Sequence, residues 1–150
     1  MLSLSINTYI HLLFVIVIFC CLVAESILIK RQLSYQEVNR LTKIDGLYGF
    51  AAIMVVGTGL LNWLNFGKGA EYYNANTFFI VKFSLFVIVG LLSLYPTIIL
   101  IRTKKRNKSE KPESIDFINH KTTKRIIYLE LVIMATIPLL AELMANGIDF

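Results

Sequence analysis

Polar positions are sparse in four long stretches of this chain, roughly Thr8–Ile29, Leu47–Phe66, Phe78–Ile101 and Ile126–Ala145. Each is close to the ~20 residues that a helix needs to cross a ~30 Å hydrocarbon core. A soluble amphipathic helix carries polar residues on its outer face at every turn. Between Leu12 and Ala24 the only residues of any polarity are Cys20 and Cys21. One such helix can be buried inside a soluble protein, but four in 150 residues cannot. The pattern predicts an all-α, four-transmembrane-helix antiparallel bundle, a single integral membrane domain over residues 1–150. Short connections favour up-down neighbours. The longest connection, 102–125, is polar and contains Pro112. It is expected to be partly disordered, with Glu113–Lys124 able to form a short surface helix.

Composition strengthens the membrane reading. Apolar residues make up 56% of the chain and charged ones only 17%, and mean hydropathy is +0.66. An ordinary soluble domain is less apolar and more charged. Residues 2–10 carry no Lys or Arg, and the first run ends at Lys30-Arg31. That flank reads as a stop-transfer signal, so the first run is expected to remain as a span.

Charge placement sets an orientation. Of the 15 Lys and Arg residues, only Lys68 and Lys82 lie outside 30–43 and 102–125. By the positive-inside rule those two segments face the cytoplasm. Both termini and Gly67–Thr77 are then periplasmic, in a bacterial inner membrane. Tyr9, Trp63, Tyr72 and Tyr73 on one side and Tyr48, Tyr95 and Tyr128 on the other match an interfacial aromatic belt. Lys104–Lys111 has no interleaved aromatic residues, which argues against a nucleic-acid partner. Attraction to anionic lipid suffices. Cys20 and Cys21 are adjacent on one helix and read as small apolar fillers.

Ionisable side chains inside the runs carry the chemistry. They are costly in a bilayer, face the bundle interior and mark sites. An outer layer holds His11, Lys82 and Glu142. An inner layer holds Glu25, Asp45 and Glu130. His11 and Glu25 are fourteen positions apart, about four turns and ~21 Å along one helix face. The face His11, Val15, Ile18, Leu22, Glu25 should look inward, opposite Lys82, Phe86, Val89, Ser93, Pro96. Rim salt bridges to Lys30, Arg102 or Arg125 explain the inner layer, so Glu130→Gln is expected to be milder than Glu142→Gln. Gly46, Gly49, Ala51, Ala52, Gly57 and Gly59 predict close helix packing at the bundle centre. Pro96 and Pro138 predict kinks.

A neutral imidazole is a standard axial haem ligand, and a nearby ammonium can pair with an anionic substrate or a propionate. His120 lies in a loop, so a bis-histidine haem within one chain is excluded. A sixth ligand would come from Lys82, Met144, Met54, water or another subunit. With no CxxC or CxxCH, neither a zinc site nor covalent haem is indicated.

Several stretches form a combined pattern. They are His11-Leu12-Leu13, Leu22-Val23-Ala24-Glu25, Ile44-Asp45-Gly46-Leu47-Tyr48-Gly49, and Gly67-Lys68-Gly69-Ala70-Glu71-Tyr72-Tyr73. With them go Lys82, Gly90-Leu91-Leu92-Ser93, Pro96-Thr97, Leu129-Glu130 and Ile137-Pro138. Together these resemble an uncharacterised bacterial family of four-helix membrane proteins with a domain-of-unknown-function label. The resemblance implies the fold and no activity. A more distant similarity is to the HemJ-type protoporphyrinogen oxidases and the CopD-type copper-resistance proteins. In the HemJ type, a His early in the first helix and a Lys early in the third accompany a b-type haem. That likeness implies these roles for His11 and Lys82; the rest of the HemJ pattern is not evident.

The leading expectation is haem b bound through His11, the metal ligand, in membrane redox chemistry. Lys82 and Glu142 would set the charge of the site. No catalytic residue is assigned. Two alternatives stand beside it: a non-catalytic accessory or scaffold subunit, and copper or small-ion handling. The latter lacks a Met or His cluster. The lipid bilayer is the expected partner; a homo-oligomer or other membrane subunits are left open.

Overall fold

The computed structural model describes residues 2–66 and 77–145. Four helices dominate: α1 (Leu2–Leu28), α2 (Tyr35–Leu61), α3 (Thr77–Arg106) and α4 (His120–Ala145). A π-helical turn, Asn62–Phe66, extends α2. All four helices are long and apolar enough to cross a membrane. α1 packs along α2 and α3 along α4, and α2–α3 and α1–α4 contacts close the antiparallel bundle.

Large apolar side chains point outward along every helix, among them Leu12, Ile16 and Phe19, then Phe50 and Ile53, Leu91 and Leu94, and Val132 and Leu139. In water such a surface would aggregate; in a bilayer it is the lipid-facing shell. The interior holds Ile18, Leu22, Leu41, Val89, Leu100, Ile127 and Met134. The two predicted inward faces are observed. Ile18, Leu22 and Glu25 on α1 and Val89 and Pro96 on α3 are buried, with His11, Val15, Lys82, Phe86 and Ser93 half-buried.

The connections near residues 29–34 and 107–119 meet at one end of the bundle, here the basic end. They join in a two-stranded antiparallel ribbon, β1 (Gln32–Leu33) with β2 (Ile115–Asp116), in the register Gln32↔Asp116 and Leu33↔Ile115. The Phe117 amide donates to the Arg31 carbonyl at 2.7 Å, and the Tyr35 amide to that of Pro112 at 3.1 Å. Leu33, Ile115 and Phe117 are buried beneath it. The expected surface helix over Glu113–Lys124 is therefore a strand and then the first turns of α4. Alternating Ile115 and Phe117 bury one face of an extended segment, which a helix over the same residues would not do.

α2 starts twelve residues before its apolar run. Ser34 accepts the Glu37 amide on its hydroxyl, and the Glu37 carboxylate accepts the Ser34 amide. This capping box fixes the start. Lys30 adds an exposed ion pair with Glu37, 3.6 Å.

The glycine expectation needs correction. A Cβ at Gly46, Gly49 or Gly57 would meet nothing within 4 Å, so these residues do not mark close helix contacts. At Gly59 it would stand 3.4 Å from His11 Cε1. Only there, among the described glycines, does the missing side chain make room for a neighbour. Pro96 and Pro138 lie within continuous helices.

Candidate functional site: two buried polar layers

At the end away from the ribbon, α1 and α2 are joined by hydrogen bonds. Asn7 Nδ2 donates to the Thr58 carbonyl, 2.9 Å, and to Asn62 Oδ1, 2.8 Å. The Thr58 hydroxyl donates to the Met54 carbonyl, 2.7 Å. His11 Nδ1 lies 2.9 Å from the same hydroxyl. With its one proton committed to Met54, the hydroxyl accepts from His11, so Nδ1 carries the hydrogen. The Val55 carbonyl faces the ring as well. A neutral ring in this tautomer keeps its lone pair on Nε2.

Lys82 on α3 is within electrostatic reach of His11. Its ammonium stands over the Phe79 ring, 5.5 Å from the centroid. Phe79 also packs against Trp63, centroids 5.3 Å apart, and Trp63 against Phe83. The Trp63 indole N–H is buried without a hydrogen-bond partner among the described residues. The structure thus places Lys82 within electrostatic reach of His11, and adds Asn7, Thr58, Asn62 and Trp63 to that end. Asn7 and Asn62 were visible as amides at the ends of apolar runs. Thr58 was hidden because threonine usually bonds its own helix backbone. Glu142, near the end of α4, is exposed. The side chain of Met144 and the residues Lys68, Glu71, Tyr72 and Tyr73 lie outside the described side chains.

The inner layer departs from expectation. Glu130 is 0% exposed, Glu25 2% and Asp45 6%. Among the described residues none of them forms a salt bridge. Among the described residues Lys30 pairs with Glu37 and Arg31 with Asp116, 3.6 Å. The rim reading fails because Glu25 and Glu130 turn into the bundle axis, while the basic side chains point out at the ribbon. The argument for a mild Glu130→Gln falls with it. Instead the three carboxyl groups feel one another: Glu25 senses both Asp45 and Glu130, and Glu130 senses Asp45. Asp45 Oδ1 accepts a 2.7 Å bond from the Thr97 hydroxyl, which ties α2 to α3. Tyr48 is buried beside Glu130, Glu25 and Ser93, and Cys21 beside Glu25 and Asp45. Both oxygens of Glu130 and Oε1 of Glu25 have no hydrogen-bond partner among the described residues. Yet no three His, Cys, Asp or Glu side chains there are grouped to hold a metal ion.

Four membrane-length helices with polar layers sealed inside an apolar shell define a polytopic helical membrane protein. The chain belongs to the family described as "Predicted membrane protein (DUF2214)", whose profile matches residues 4–149. No curated protein and no solved structure matches it.

Proposed function

We propose that this protein binds a b-type haem through His11 and serves in membrane redox chemistry, with its basic end in the cytoplasm of a bacterial inner membrane. The observation that carries the reading is the Thr58 clamp on His11 Nδ1. Metal-ligating histidines characteristically donate their other ring N–H to a fixed acceptor, which sets tautomer and ring orientation. The donor set fits the group: an imidazole with Nε2 as its lone-pair nitrogen, the Lys82 ammonium, and an unpartnered Trp63 N–H suited to a carboxylate such as a propionate. Haem would supply one-electron transfer. Thr58 and Gly59 hold the ring in place, Lys82 supplies positive charge, and the Phe79–Trp63–Phe83 cluster shields that end from water.

An absorption spectrum of the detergent-purified protein, made where haem is abundant, tests the reading. A Soret band with b-type α and β bands is expected. His11→Ala should lose them while the protein still inserts, and Lys82→Met should keep haem with a shifted spectrum. A featureless wild-type spectrum, or an unchanged one in His11→Ala, overturns it.

The second reading, a non-catalytic scaffold subunit, is favoured by one observation: Asn7 stitches α1 to α2 by bonding both Thr58 and Asn62, protein group to protein group. A featureless spectrum with unaltered folding selects it. Copper handling has no comparable support, since no cluster of three or more His, Cys, Asp or Glu side chains placed to hold a metal ion occurs among the described residues.

A further inference from the structure

The inner layer is a separate feature, and nothing in the haem reading uses it. Three acidic side chains from three helices converge near the basic end: Glu25 one turn from the end of α1, Asp45 on α2 and Glu130 on α4. α3 completes the surround with Thr97, bonded to Asp45, and with Ser93, beside Tyr48. Cys21 is a further titratable neighbour among the described residues. Glu130 is fully buried with neither oxygen partnered among the described residues, and it is electrostatically linked to Asp45, Glu25 and Tyr48. Such a group calls for a hydrogen or a cation that the protein itself does not supply.

Among the described residues no positive charge joins the cluster. Three ionised carboxylates cannot share a low-dielectric site without a counter-charge. Either metal cations or protons must provide it. A metal would need several oxygens converging on one point. No three His, Cys, Asp or Glu side chains among the described residues group that way, although the carboxyl groups influence one another electrostatically. Protons need no common centre. Like-charged carboxyls that influence one another take them up stepwise.

The geometry points to a proton-binding site formed by Glu25, Asp45 and Glu130, loaded from the aqueous phase at the basic end. Each uptake forms one O–H bond on a carboxylate, with the proton drawn from water, and release reverses it. Thr97 holds Asp45 as an acceptor and positions it. The Tyr48 hydroxyl lies beside the carboxyl groups as a neighbouring donor. Intramembrane acids of this kind serve proton relays in other membrane proteins, and the one-turn distance of Glu25 from the α1 terminus gives a short route to water.

Carbodiimide chemistry tests this on the full-length protein in detergent or nanodiscs. Dicyclohexylcarbodiimide modifies protonated carboxyl groups in apolar surroundings, and peptide mass mapping locates the adduct. Modification of Glu130 or Glu25 is expected at neutral pH and should fade as pH rises. Infrared spectra should show a protonated carboxyl C=O band that shifts in D2O. Glu130→Gln and Glu25→Gln should each remove part of it, since the amide keeps the shape and carries no exchangeable acid proton. The wild-type measurements stand even if a variant fails to fold. Absence of both adduct and band at neutral pH overturns the proposal. So does loss of the adduct when Na+, K+, Mg2+ or Ca2+ is added at constant pH, which would assign the cluster to a metal cation. Neither measurement depends on whether haem is bound.

Discussion

The His11–Thr58 contact makes a prediction that the two partners should fulfil unequally. In Thr58→Val the shape is kept and the hydroxyl is lost. The Met54 carbonyl keeps its ordinary helical partner, but His11 Nδ1–H loses its 2.9 Å acceptor in a half-buried place. In the reverse change, His11→Leu, the Thr58 hydroxyl still donates to Met54, so no polar group is stranded. Hydrogen bonds between helices in a bilayer are worth ~0.6 kcal/mol on average and up to ~1.7. Stranding a buried donor costs about 1–3 kcal/mol, and the Val55 carbonyl facing the ring softens that. Thr58→Val should therefore cost about 1–2 kcal/mol, and the polar part of His11→Leu less than ~1. The double-mutant cycle should give a coupling of roughly 0.6–1.7 kcal/mol. Reversible unfolding in mixed micelles, or steric trapping in bicelles, measures all four corners. A coupling inside the ~0.3–0.5 kcal/mol scatter of independent sites would refute the bond. Equal single-mutant costs would refute the assigned direction of donation.

Three further outcomes follow from the structure. Thr97→Val removes the bond to Asp45 Oδ1 and should destabilise the bundle by about 0.5–1.5 kcal/mol, read in the same unfolding assay; no change would mean that Asp45 finds its hydrogen elsewhere. Ser34→Ala breaks the capping box and should cost about 0.5–2 kcal/mol, with hydrogen exchange rising in the first turn of α2 and not at Thr58. A lipid-phase carbene photoprobe should insert at exposed Cys20 and spare buried Cys21, located by peptide mass mapping; equal insertion would place α1 in a different rotation.

The fold was legible because lipid imposes a simple rule. Every spanning backbone must satisfy its own hydrogen bonds, so long apolar runs become helices. The inward faces of α1 and α3 followed from helical spacing, once His11, Glu25 and Lys82 were taken as residues that lipid rejects. The ribbon was not legible. Two-residue strands have no periodicity of their own, and Gln32-Leu33 finds its partner far along the chain. The start of α2 was written in Ser34-Tyr35-Gln36-Glu37, a capping-box pattern lying outside the apolar run. The inner cluster was misread for a physical reason. Sequence distance put Glu25 near Lys30, but Glu37 takes Lys30 because both reach water at the helix ends. Nothing along one helix reveals that Glu25 and Glu130 turn toward the same axis; only the packing of α1 against α4 does that.

The ribbon also imposes an order in time. β1 emerges with the first helical hairpin, whereas β2 does not exist until α3 has been made. During synthesis the edge of Gln32-Leu33 must wait, open, through the whole of α2 and α3. Leu33 and Ile115 can be covered only when the second hairpin arrives beside the first. Closing this short ribbon is thus a late event of assembly, and a chain interrupted before Ile115 would leave its first two helices inserted with that edge still unpaired.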